Sequence, residues 1–291
     1  MLDVTIKYIS VILIALSSIS FVSCGNKQSA EEKDAEALMS KIKVLYTDKN
    51  YDQAMLMIDS LMKAYPGMID VQRRAMHIQT MITEKKTLSD SIANEVTYQQ
   101  NVALADSVKA NLKFVKQEDM VEGYYVDKTM PDNGMPSSTQ LVARVSKDGD
   151  LSVLSSLRGH KCRHNRLKAE TDSSSVFTAV VPTSNPRNYK FSDNGQSVEL
   201  VTFNGNECEE FCTFIASNAF HTIVVKFIGN AKSHQISLTK SEKAAFSNVV
   251  AYHNALCEIE KSATMRLKFA QKLKLARKQI KQTATNLKGQ D

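Results

Sequence analysis

The string His160-Lys161-Cys162-Arg163-His164 sets three metal-ligating side chains two residues apart. On an extended strand such positions share a face, so the three could converge on one ion such as zinc. A zinc site ordinarily takes a fourth ligand and supporting groups, however. Arg158, Lys161, Arg163 and Arg166 also surround the string with positive charge, which opposes a cation. The expectation is a basic strand or loop at the surface of a β domain, without a metal or other cofactor. His160 and His164 stay as weak ligand-binding candidates. Two carboxylate groupings, Glu118, Asp119 and Glu122, and Glu207, Glu209 and Glu210, could hold an acid–base pair, yet nothing assigns their members distinct environments. No glycine-rich phosphate loop, nucleophile elbow or zincin motif occurs. A non-enzymatic protein is therefore expected. The alternative is an envelope hydrolase or other enzyme with its site in the β domain.

Sugar recognition commonly stacks an aromatic ring on a sugar face, and the chain has no Trp. Tyr124, Tyr125 and Tyr189 are the remaining candidates, although alternating aromatics in a sandwich more often belong to the core. An envelope protein or a glycan is the expected partner class, and nucleic acid is not.

The elements that must carry these residues follow from periodicity. Leu38, Met39, Ile42, Leu45 and Tyr46 recur at helical spacing, Lys49-Asn50 interrupts them, and Ala54, Ile58 and Leu61 resume the pattern. Tyr65-Pro66-Gly67 ends this hairpin. The run Asn50-Tyr51-Asp52-Gln53-Ala54 with Pro66 is similar to one tetratricopeptide-type unit. One unit cannot build the continuous core of an array, so it is expected to act as a packing element. Residues 68–116 read as a long helix with a loose stripe of Met81, Leu88, Ile92, Val96, Val102 and Val108. Short β-branched runs separated by Gly, Asn, Asp and Pro follow from Val121 to Leu238, interrupted by one short helix at 207–218. From Ser241 to Leu287 the chain reads as one more helix.

Charge and cysteine placement narrow the setting. The formal net charge is +6, and Lys261 to Gln290 holds nine Lys or Arg with no Asp or Glu, whereas Glu31, Glu32, Asp34 and Glu36 are acidic. The basic segment reads as the solvated face of a helix. The alternative is binding to an anionic polymer or lipid headgroup. Cys162, Cys208, Cys212 and Cys257 follow no disulfide framework spacing and are expected to be separate thiols.

At the start, Lys7 precedes an apolar run from Tyr8 to Val22 and then Ser23-Cys24-Gly25. That order is a secretory signal, too short in its apolar part to span a ~30 Å hydrocarbon core comfortably. Phe21-Val22-Ser23-Cys24 resembles the bacterial lipobox. The resemblance implies cleavage before Cys24, acylation of its sulfur and amine, and attachment to membrane through that lipid. A place in the cell envelope is then expected, the outer membrane in preference to the inner.

Taken whole, the layout resembles uncharacterised lipoproteins of gut anaerobes, which combine a lipobox, a helical hairpin, a β region and a closing helix. Asn188-Tyr189-Lys190-Phe191 is one of the strings that carry the likeness. It implies an envelope protein and no particular activity. The expected fold class is α+β: a helical hairpin and long flanking helices around an antiparallel β-sandwich or jelly-roll-like domain. The expected segments are a signal peptide at 1–23, a linker at 24–33, the hairpin and long helix at 34–116, the β domain at 117–240, and a helix at 241–287 packing on the first helical region as a coiled-coil-like stalk.

Overall fold

Alternating apolar and polar residues need a covered face, and the helical repeats need partners at every third or fourth position. A computed structural model, which describes residues 24–116, 122–130, 136–230 and 232–288, supplies both. The fold is α+β, with five α-helices and two antiparallel sheets among the described residues. The chain divides into two compact units, one of 24–93 with 266–288 and one of 94–265.

The first unit contains helices α1 (Cys24–Thr47) and α2 (Tyr51–Ala64), with the N-terminal part of α3 (Ile69–Lys109) and the C-terminal part of α5 (Lys240–Lys288). Lys49 takes a left-handed φ of 60°, which turns the chain between α1 and α2 where the periodicity breaks. Ala35, Met39 and Ile42 of α1 meet Ala54, Ile58 and Leu61 of α2 and Val71, Ala75, Ile78 and Ile82 of α3. Each fully buried Ile or Leu contributes roughly 1.5–3 kcal/mol, so this interlock is what holds the hairpin. His77 Nδ1 lies 2.6 Å from Thr283 Oγ1, and Arg277 pairs with Glu84 at 2.9 Å, which ties α5 to α3. Helix α1, described from Cys24 on, covers the segment expected as a linker.

The second unit is a β-sandwich-like body. Its strands are β1 (Leu112–Val115), β2 (Tyr124–Asp127), β3 (Gln140–Ser146), β4 (Leu151–Arg158), β5 (His164–Glu170), β6 (Ser175–Phe177), β7 (Asn188–Asp193), β8 (Gln196–Asn204), β9 (Val224–Gly229) and β10 (Ser233–Ser237). One sheet has the order β1-β2-β3-β4-β8-β7, and the other β10-β9-β5-β6. Their inner faces share a core of Leu141, Val145, Val153, Val201 and Phe203 from the first, with Leu167, Ala169, Val225 and Phe227 from the second. Helix α4 (Glu209–Ser217) adds Phe211, Cys212 and Ile215, and α5 adds Phe246, Val249 and Val250. Two differences from the sequence reading matter. Residues 112–115 leave the helix and form β1, because Leu112 and Val115 are buried against the sandwich. Residues 164–170 form β5, a central strand of the smaller sheet, not surface.

Candidate functional site

The polar cluster that the sandwich builds lies between its sheets, on the expected basic string. His164 starts β5, and its imidazole crosses to the larger sheet. Its Nε2 lies 2.9 Å from Ser155 Oγ on β4, and its Nδ1 lies 2.8 Å from Glu199 Oε2 on β8. Glu199 also accepts the backbone N–H groups of Arg163 at 2.6 Å and His164 at 2.8 Å. Arg163 holds a left-handed φ of 53°, and successive N–H groups in such a turn form an anion-binding hollow, here filled by the Glu199 carboxylate. Gly229 pairs with His164 across β9 and β5; a Cβ there would stand 2.2 Å from the Cys162 carbonyl oxygen, so only glycine allows this approach. Asn188 donates to the Val181 carbonyl at 2.8 Å, and Lys190 Nζ donates to Asn188 Oδ1 at 2.6 Å.

The electrostatics follow from these contacts. Burial pushes the His164 pKa down, opposed by Glu199, so the imidazole is neutral. Burial alone would raise the Glu199 pKa, but the imidazole and the two backbone donors outweigh it and hold the carboxyl below its ordinary value. A neutral imidazole beside an ionised carboxylate carries its proton on Nδ1, donating to Glu199, and accepts the Ser155 hydroxyl at Nε2. Lys190, opposite Glu199 in the β7–β8 ladder, is lowered mainly by burial.

Ser155, His164 and Glu199 thus have the connectivity of a nucleophile relay. The relay has no room to work. Ser155 and His164 have no exposed surface, and Glu199 is 2% exposed. Ser155 is paired with Leu141 on one side and Val201 on the other, inside the ladder of a central strand. A serine nucleophile needs an accessible oxygen and donors aimed at an oxyanion. This one instead fastens one sheet to the other.

This overturns the surface assignment of the string. His164 and Cys162 are buried, while His160 is exposed and stacks on His234 with ring centres 3.8 Å apart. The string is not a straight strand, because Arg163 turns it before β5 begins. Burial, together with the neighbouring His160, lowers the His234 pKa. Among the described residues no three His, Cys, Asp or Glu group to hold a metal ion.

The tyrosine candidates separate as well. Tyr124 and Tyr125 are consecutive on β2 and face opposite ways. Tyr125 packs on Phe114 and Tyr252 with the Lys109 ammonium 5.2 Å from its ring, and Tyr124 lies beneath the Arg144 guanidinium at 4.3 Å. Tyr189 is 60% exposed on β7, an edge strand, with Phe191 beside it at 5.3 Å. Arg158 pairs with Asp193 at 3.1 Å. Cross-strand pairing puts Tyr189 opposite Leu200 and Phe191 and Arg158 on either side of Val198, all on the outer face of the larger sheet.

Of the acidic candidates, Glu207 is taken by Arg187. Glu209 and Glu210 line a half-open groove of about 760 Å³ between α4 and β6, with Ser175, Thr213, Phe214 and Asn218. Glu122 lines a smaller recess of about 170 Å³, and Glu118 and Asp119 lie outside the described residues. Cys162, Cys208, Cys212 and Cys257 are unbridged. Cys24 is the first described residue of α1, and the 1–23 segment lies outside the described residues. No described helix is long and apolar enough to cross a membrane.

The sequence reading missed Ser155 and Glu199. A signal was present: Glu199 shares the parity of Val201 and Phe203, a charge on the core face of an apolar strand. No family model, curated protein or solved structure matches the chain.

Proposed function

We propose that this is a lipid-anchored protein of the bacterial cell envelope that binds a glycan without transforming it. The lipobox-like residues before Cys24 support the anchor, with the outer membrane as its place. The binding reading rests on one observation, the exposed Tyr189 beside the half-buried Phe191, with Arg158 and Asp193 close by. Adjacent rings offer an apolar platform to the C–H face of a sugar, and a neighbouring guanidinium and carboxylate can donate to and accept from its hydroxyls. A non-catalytic role is favoured because the Ser–His–Glu array is sealed inside the sandwich.

The test is titration of the Cys24→Ser chain against a panel of envelope and dietary polysaccharides. Tyr189→Ala should weaken the best ligand by roughly tenfold or more, the ~1.4 kcal/mol scale of a lost ring contact. Binding that survives Tyr189→Ala but disappears in Glu209→Gln/Glu210→Gln would move the site to the α4–β6 groove. Absence of binding to every polysaccharide would end the glycan reading. Fatty-acid labelling of the exported chain, expected to vanish in Cys24→Ser, tests the anchor separately.

A further inference from the structure

Helix α5 carries two large apolar side chains that its own unit leaves uncovered. Leu267 is 68% exposed and Leu275 is 56% exposed. They stand eight residues apart, and helical spacing puts Lys274, Lys278 and Lys281 on the same arc, all three exposed. The inward side of this stretch is marked by buried Ala276. No acidic residue occurs from Lys261 to Lys288, so the lysines have no intrahelical carboxylate partner. Lysine stems can lie along an apolar surface while their ammonium groups stay among phosphates. An arc of leucines flanked by lysines therefore suits the headgroup region of a bilayer.

The contacts of α5 within the unit say how this arc runs. Arg74 of α3 holds Glu36 of α1, and His77 of α3, about one turn on, lies against Thr283 of α5. Arg277 of α5 reaches Glu84, further along α3, so α5 runs antiparallel to α3 and the arc extends lengthwise along the unit, with Lys281 toward the Cys24 end of α1 and Leu267 away from it. We propose that the outward arc of α5 from Leu267 to Lys281 docks on the anionic bilayer surface into which Cys24 is anchored. The choice of that bilayer rests on the anchor reading; the docking itself rests on the arc. An anchored chain meets the surface at high effective concentration, so a modest intrinsic affinity is enough to lay the unit down. Two leucines and a few lysines provide such an affinity, since each cation near an anionic surface contributes about a fivefold factor.

The experiment uses the full mature chain with Cys24→Ser, so that the arc is read without the lipid. Sedimentation with vesicles of mixed phosphatidylglycerol and phosphatidylcholine is compared with phosphatidylcholine alone. The chain should sediment with the anionic vesicles at low salt and detach at high salt, as the Debye length falls from ~10 Å at 0.1 M to ~3 Å at 1 M. Lys274→Glu/Lys278→Glu/Lys281→Glu should lower the affinity roughly a hundredfold, and Leu267→Ser/Leu275→Ser several-fold. Lys128→Glu/Lys161→Glu/Lys232→Glu makes the same change of net charge on the other unit and should leave binding nearly unchanged. Circular dichroism spectra matching the unmutated chain would show that each variant is folded. The proposal is overturned by failure to bind anionic vesicles at low salt, by equal loss in the two triple variants, or by retention on a soluble polyanion without vesicle binding. The last outcome would assign the arc to an acidic polymer. None of these outcomes depends on whether Cys24 is acylated, which fatty-acid labelling decides.

Discussion

The inner and outer faces of β8 carry opposite lessons. Inward, Glu199 completes an array with Ser155 and His164 that has the connectivity of a catalyst but no surface. Outward, Val198 and Leu200 are buried in a second core with Val142 and Leu154, Phe191 packs half-buried against it, and Tyr189 on the edge strand β7 stands exposed. One residue of shift along the strand separates a sealed polar array from an apolar core that carries Tyr189 beside it. Connectivity therefore does not identify function here; access does. The buried array should govern stability and the outer face binding, and each prediction below presses on that division.

The largest effect is expected from Glu199→Ala. It strips His164 and two backbone N–H groups of their acceptor in a sealed interior, which costs on the order of 3–5 kcal/mol. Denaturant unfolding should show the midpoint collapse, and a loss under 1 kcal/mol would mean the array is not the fastening between the sheets. Gly229→Ala should follow at about 1–3 kcal/mol, because a methyl group 2.2 Å from a backbone oxygen forces the Arg163 turn away from Glu199. Ser155→Ala should be milder, about 1 kcal/mol for one hydrogen bond. In the native chain Ser155 should also stay unlabelled by a fluorophosphonate, and covalent labelling there would break the comparison outright.

The pH dependence sharpens it. His164 in the fold lies below its ordinary 6.5, so the unfolded chain takes up its proton first as pH falls. Stability from the neutral imidazole is complete above about pH 6.5 and declines as pH drops from there toward the folded pKa. Glu199 lies below its ordinary 4.5, so its contribution is complete above that value and is lost on further acidification. Unfolding midpoints should thus be level above neutrality and fall below pH 6.5. His164→Gln should flatten the upper part of that fall. The smallest stability effect belongs to Tyr189→Ala, within about 0.5 kcal/mol, although it should cost ligand binding. A larger destabilisation would make Tyr189 a core residue and remove the contrast between the two faces.

Much of the frame was legible in the sequence. Ala54, Ile58 and Leu61 repeat at helical spacing and become the α2 face of a helical core, and the uninterrupted run from Ser241 becomes α5, which begins one residue earlier. Leu151, Val153 and Leu157 alternate as a strand should, and they line the sandwich interior. These features are local: periodicity of 3.6 or 2 is written into neighbouring residues and survives in any tertiary setting. The site was less legible. His164 was visible only as part of a basic string, while its partners Ser155 and Glu199 lie 9 and 35 residues away.

Which side of a strand meets the other sheet depends on how the strands of both sheets pair, and pairing is a long-range outcome. Sequence alone determined the α+β alternation, the turn at Lys49-Asn50 and the length of the closing helix, because backbone preference and amphipathic period act over a few residues. Tertiary structure alone decided that His164 is sealed while Tyr189 and Leu267 are exposed. Burial is a property of the residues packed around a side chain, and those come from distant parts of the chain.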